Sequence, residues 1–322
     1  LKAAEERGKT ETLKRIEEAQ PPFNIRYENG MRITSRDKRH ELQIAPEVYT
    51  QFSAFPEDTD ADGNFLIRRA RVSLQGRLFG DWTYRLTLEG TGDKVLSSTT
   101  YLGWEKFKGF RIRVGQNLAP FGGEANSSRF NLFFLERSMI GDRLRESVSR
   151  GVFVFSDPHP AIHLRASVTN GNGTNDDDNN EKDFSFRVAG KPFQASRWHP
   201  RWPIEVAGNV SIGRQPHNAS GGQTRLVLRD NRLAVFDAAT EGLRTRFGGD
   251  LSYNKEYREK GLPFSALAEF IYEKQEREGP ILGTGNADLV RHGYSVQAGY
   301  LLMGEWKKNG LEAAARYDSI DV

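Results

Sequence analysis

The chain has 322 residues, with 46 Lys and Arg against 43 Asp and Glu, and no cysteine. The absence of cysteine removes disulfides and thiolate metal sites from consideration. A mean hydropathy of −0.64, with no run near the roughly 18 apolar residues a spanning helix needs, excludes a helical membrane protein. A β-barrel escapes that test, because only every second residue of a spanning strand faces lipid.

Residues 1–20 (LKAAEERGKTETLKRIEEAQ) read as a charged helix with a thin apolar stripe of Leu1, Ala4, Leu13 and Ile16, stopped by Pro21-Pro22. A solvated terminus or a short periplasmic coiled-coil spacer fits that pattern. The chain is therefore expected to divide into an N-terminal segment, 1–22, and a β-barrel, 23–322. It opens on Leu1 with no apolar signal region, as an exported chain does once its signal is removed.

From Phe23 onward the dominant period is two. Leu42, Ile44 and Val48 alternate with Gln43 and Glu47. Ala70, Val72, Leu74 and Leu78 alternate with Arg69, Arg71, Ser73, Gln75 and Arg77, and Trp82, Tyr84, Leu86 and Leu88 with Thr83, Arg85, Thr87 and Glu89. The rhythm returns at 110–114, 162–169, 204–212, 244–253, 294–302 and 311–318. Short connectors (Gly80-Asp81, Lys108-Gly109, Asp157-Pro158-His159-Pro160) alternate with long polar ones (118–146, 170–182, 214–240). Short turns at one end and long loops at the other are the connectivity of an all-β, transmembrane, up-and-down antiparallel barrel of roughly fourteen visible strands. A soluble sandwich also alternates, but these polar faces are rich in Arg and Glu, and the apolar faces end in Trp, Tyr or Phe, as interfacial belts do.

With the apolar residues facing lipid, the interior receives Arg69, Arg71, Arg77, Arg85, Arg111, Arg113, Arg165, Arg187, Arg244, Arg246 and Arg316. Glu89, Glu105, Glu205, Glu269, Glu312 and Asp318 join them. Rings of arginine favour anions, because a fixed positive field replaces part of an ion's lost hydration. The guanidinium fork suits oxyanions such as phosphate. Cations that merely balance acidic neighbours are the bland alternative.

Residues 65–157 resemble the phosphate-selective porins of the O/P type. The matching pieces are Phe65-Leu66-Ile67-Arg68-Arg69-Ala70-Arg71, Gly80-Asp81-Trp82-Thr83-Tyr84, Arg113-Val114-Gly115-Gln116 leading to Ala119-Pro120-Phe121, and Ser127-Ser128 with Phe134-Leu135-Glu136-Arg137. The resemblance implies a homotrimer of sixteen-stranded barrels, each with a constriction loop folded inward. Segment 118–146 is the expected loop, pinned by Phe121, Phe130, Phe133 and Phe134. Arg68 and Arg69 match the family's arginine pair, and Ser127 and Ser128 its serine pair. Strict alternation would turn Arg68 toward lipid, so a β-bulge or a strand-end position is expected there. One departure stands out: the family's lysine between the loop glutamate and the serines is missing from Glu124-Ala125-Asn126-Ser127-Ser128-Arg129. Arg129 is the nearest substitute, on the far side of the serines.

The resulting expectation is an outer-membrane porin passing small anions, with phosphate as a candidate, through a site of Arg68, Arg69, Arg71, Arg111, Arg113, Ser127, Ser128 and Arg129. Lipid and lipopolysaccharide would be its surroundings. No cofactor, metal or enzymatic activity is expected. The six histidines show no metal-ligand spacing, no nucleophile elbow or P-loop is present, and Asp176-Asp177-Asp178 reads as a solvated loop tip. Nucleic-acid binding is not expected, since basic and acidic residues interleave. The end at Tyr317-Asp318-Ser319-Ile320-Asp321-Val322 is not aromatic and reads as short of a final strand. A structural or partner-binding barrel in a larger envelope assembly, without conductance, is the alternative.

Overall fold

A computed structural model describes residues 22–53, 64–91, 94–127, 131–134, 136–145, 148–171, 173–174, 180–193, 202–215, 223–228, 233–239, 242–255, 262–276, 288–306 and 309–321. The segment expected to be helical, 1–20, lies outside these. The chain forms two compact units, 1–106 and 107–322.

The first unit is an antiparallel meander of six strands: β1 (Phe23–Tyr27), β2 (Met31–Ser35), β3 (Glu41–Ser53), β4 (Asn64–Leu78), β5 (Trp82–Thr91) and β6 (Lys94–Trp104). Its tight turns are written in the sequence. The three-residue connection Glu28-Asn29-Gly30 joins β1 to β2, with Asn29 and Gly30 at φ of 52° and 119°, positive values that Asn and Gly accept most readily. In β4, Tyr49 pairs with Arg69 and Thr50 with Ile67, so Arg68 is left between two paired residues. This is the expected bulge, and it lets consecutive arginines interrupt the alternation without reversing the strand's faces.

The second unit contains β7 (Phe110–Leu118), the one-turn helix α1 (Met139–Arg143), β8 (Val148–His159), β9 (Ile162–Thr169), β10 (Asp183–Gly190), β11 (Ile204–Gln215), β12 (Gln223–Leu228), β13 (Leu233–Ala239), β14 (Gly242–Tyr253), β15 (Phe264–Gln275), β16 (Leu289–Met303) and β17 (Leu311–Asp321). Nine of these strands pair in the antiparallel order β7-β8-β9-β10-β11-β14-β15-β16-β17, while β12 and β13 form a separate hairpin. That hairpin lies within the segment 214–240 expected as a plain connector. The expected connector 157–160 also differs: β8 runs on through Pro158 to His159, with a register irregularity between Ser156 and His159. Proline is tolerated at such a break because the ladder bond is already lost there.

Burial is inverted relative to a soluble sheet. Along β10, Asp183, Ser185 and Arg187 are 2–6% exposed, whereas Phe184, Phe186 and Val188 are 40–58% exposed. An apolar face that no described residue of the unit covers, opposite a buried polar face, is what lipid on one side and a packed or aqueous interior on the other would select. No described helix is long and apolar enough to cross a membrane, which does not bear on crossing by strands. Among the described residues an apolar cluster, Phe121, Ile140, Leu144 and Ile271 with Ile320 against it, lies where the segment after β7 meets the polar face of β15 and β17.

Candidate channel-lining site

In the first unit, Arg69 and Arg71 stand two residues apart on one face of β4, the separation that keeps both side chains together on a pleated strand. Register places Arg71 opposite Glu47 of β3 and Glu89 of β5. Arg69 Nε donates to Glu89 at 3.0 Å, Arg71 pairs with the same carboxylate, and its Nη1 lies 3.8 Å from Glu47. Two expected site arginines are thus matched by two carboxylates in a cross-strand row. Below them the face continues in neutral polar pairs, Ser73 with Thr87 at 3.0 Å and Gln75 with Gln43 at 2.8 Å. The side chain of Arg68 lies outside the described residues.

In the second unit the balance differs. Phe155 of β8 stands in register between Arg111 of β7 and Arg165 of β9. The guanidinium carbons of Arg111, Arg113 and Arg165 lie 5.3, 4.7 and 5.4 Å from its ring centroid. Stacking of this kind holds guanidiniums in place without cancelling their charge. Asp157 takes Arg111 at 3.2 Å and Arg165 at 2.8 Å, and contacts His163 Nδ1 at 2.8 Å. One ring and one carboxylate therefore organise three guanidiniums on neighbouring strands. The expected Arg111 and Arg113 belong to this group; Phe155 and Asp157 were not foreseen.

Further along the same face, arginines and carboxylates interlock. Arg187 grips Asp250 with both nitrogens, one at 2.9 Å. Arg244 donates to Asp183 at 2.8 Å, and Arg246 and Arg291 share Glu273. Apart from the partly exposed Arg244 these groups are almost fully buried, so they cross-link strands, and charge-assisted bonds are the strong ones. Arg291 was missed, although the alternation of Tyr294 to Leu302, extended toward the N-terminus, puts it on the polar face.

The described residues of the segment after β7, 119–127, 131–134 and 136–145, fold against that face, as expected of the inward loop. Glu269 of β15 accepts the amides of Gly123 (2.7 Å) and Glu124 (3.2 Å). Glu124 in turn accepts the Ser138 amide (2.8 Å) and hydroxyl and the side chain of Gln297 on β16 (3.1 Å). Arg137, also unforeseen, donates to the carbonyls of Glu124, Ala125 and Ser127 at 3.0–3.3 Å. Arg316 of β17 reaches the Glu136 carbonyl at 2.8 Å and lies 4.7 Å over the Phe134 ring. Of the four aromatics expected to pin the loop, Phe121 is fully buried, Phe134 stacks under Arg316, and Phe133 faces Ser265 and Leu267 across a narrow cleft. Phe130 lies outside the described residues. The hydroxyl of Ser127 donates to the Gly123 carbonyl at 2.9 Å, inside the loop itself. Ser128 and Arg129 are outside the described residues. Lys255 stands on the wall side of the cleft that Ser127 and Asn131 line from the loop, a cation the reading of the sequence did not single out.

Comparison with known proteins agrees with this architecture. OmpT of Vibrio cholerae, an outer membrane protein, aligns at a TM-score of 0.55 and 10% identity in its in-vitro folded form, over 88% of this chain and 77% of that one. Its outer-membrane expressed form aligns at 0.53 and 11%, with the same coverage. The outer membrane channel DcaP of Acinetobacter baumannii aligns at 0.49 and 11%, over 89% and 81%. At such identities the likeness to the two forms of OmpT speaks for the fold alone. No curated protein matches. The profile of the family described as phosphate-selective porin O and P matches residues 47–322. With an antiparallel meander that is apolar on its exposed face, buried and polar on the other and lined by arginine, the chain belongs to this family of outer-membrane porins.

Proposed function

We propose that the protein is an anion-preferring outer-membrane channel, acting by passive diffusion as a homotrimer embedded in lipid and lipopolysaccharide. The observation that carries the reading is the cluster on β7–β9, where three guanidiniums surround Phe155 and two of them, Arg111 and Arg165, share one carboxylate, Asp157. A surplus of fixed positive charge on partly exposed side chains concentrates anions in a water-filled path and opposes cations. Arg111 and Arg113 carry this role. Arg69 and Arg71, tied to Glu89 and Glu47, contribute less net field and more polar rigidity. Arg68, Ser127, Ser128 and Arg129 remain part of the proposed constriction, with phosphate as a candidate solute. Replacing both Arg111 and Arg113 by Glu should reverse the sign of the selectivity in a planar bilayer. Retention of wild-type selectivity by that variant would refute the assignment of these residues.

A further inference from the structure

Among the buried carboxylates of β14, β15 and β17, Glu269 is held differently from its neighbours. Asp250 is gripped by Arg187, Glu273 by Arg246 and Arg291, and Asp318 by Arg316 at 3.1 Å. The hydrogen bonds to Glu269 come from backbone amides of the inward loop, those of Gly123 and Glu124, and it is 4% exposed. In register it faces Asp250 on one side and Ser295 on the other.

The loop closes this tightly because of Gly122 and Gly123. Gly122 adopts φ +84°, and a Cβ there would lie 2.9 Å from a Glu269 oxygen. A Cβ on Gly123 would lie 2.5 Å from the Asp250 carboxylate. Only a backbone without side chains can be laid across both carboxylates at once. An ionised carboxylate is a stronger acceptor for loop amides than a neutral group, so it suits a tether. Open to an aqueous path, the same charge would repel anions and attract cations.

We infer that Glu269 is a specificity-determining residue of the channel whose negative charge the Gly122-Gly123 turn withholds from the conducting path. The loop, on this account, selects for anions by covering acid on the wall as well as by narrowing the lumen. The inference rests on the anion-preferring reading above, and the experiment separates the two.

Single-channel reversal potentials in a KCl gradient are compared for the wild type, Gly123→Val, Glu269→Gln and the double variant. Gly123→Val drives a branched side chain into Asp250 and lifts the turn. It should lower the anion-to-cation permeability ratio by about twofold or more, as an uncovered wall charge does. Glu269→Gln added to Gly123→Val should restore the ratio. An unchanged ratio in Gly123→Val, no rescue in the double variant, or a raised ratio in Glu269→Gln alone overturns the inference. A wild type without anion preference overturns the anion-channel reading instead, while the shift and its rescue still decide the cover. Should Gly123→Val fail to insert, Ser295→Cys in this cysteine-free chain reads the same surface. Its protection from a charged thiol reagent, under conditions in which Arg165→Cys reacts, supports the cover. Equal reaction at both positions overturns it.

Discussion

Asp183 shows how closely single residues are fitted on the polar face. It is 2% exposed and bonds Arg244, and the backbone of Gly213 passes so near that an added Cβ would sit 1.6 Å from its Oδ1. Gly213→Ala therefore has to displace the carboxylate or the strand. It should destabilise the folded protein by about 1–3 kcal/mol, the usual cost of overpacking, measurable as a lower midpoint of heat-modified mobility in detergent. At Gly208 of β11 an added Cβ meets nothing within 4 Å, so Gly208→Ala is the neutral control. The arginines separate in the same way. Arg69→Ala leaves Arg71 on Glu89 and should shift selectivity only slightly. Arg113→Ala removes a guanidinium stacked on Phe155 and should lower anion preference more, as the two reversal potentials would show.

At the scale of elements, legibility followed the pleat. β11 and β14 were readable because one face is buried and polar while the other is exposed and apolar. β6 was not: Thr87 pairs with Thr99 and Leu88 with Ser97, so Ser98 is skipped and the strand changes phase halfway. Hydroxyl residues on both faces blur it further. β15 was obscured for another reason. Leu267 and Ile271 stand on its polar face because the loop lies over them, so apolar residues occur on both sides. That loop is legible as a long connector with aromatics, but its tethers, Glu269, Gln297 and Arg316, lie about 145–180 residues downstream, and the alternation that turns them inward does not say that they hold the loop. The assignment of faces has its own check. Phe186→Arg on β10 should cost roughly 2–4 kcal/mol if that face meets hydrocarbon. Ser185→Arg on the other face should change conductance and leave insertion intact. Folding yields into lipid vesicles distinguish them, and equal yields would contradict the orientation. Arg137→Ala removes three bonds to loop carbonyls and should raise open-channel noise without changing the sign of selectivity.

The molecule as a whole follows from one inversion. With 28% charged residues and 37% hydrophobic ones, the chain turns its apolar residues outward and cross-links its charges on the opposite face. The two units use those charges differently. The first matches Arg69 and Arg71 with Glu47 and Glu89; the second leaves a surplus of guanidinium around Phe155 and Asp157. Net transport preference therefore depends on which charges stay in contact with water rather than on the overall charge of +3. The most direct test is the reversal potential of single wild-type channels under a KCl gradient, repeated with phosphate added. The account predicts a potential set by chloride, with phosphate reducing the chloride current if the oxyanion enters the arginine site. A potential set by potassium, or no conductance from correctly inserted protein, would contradict it.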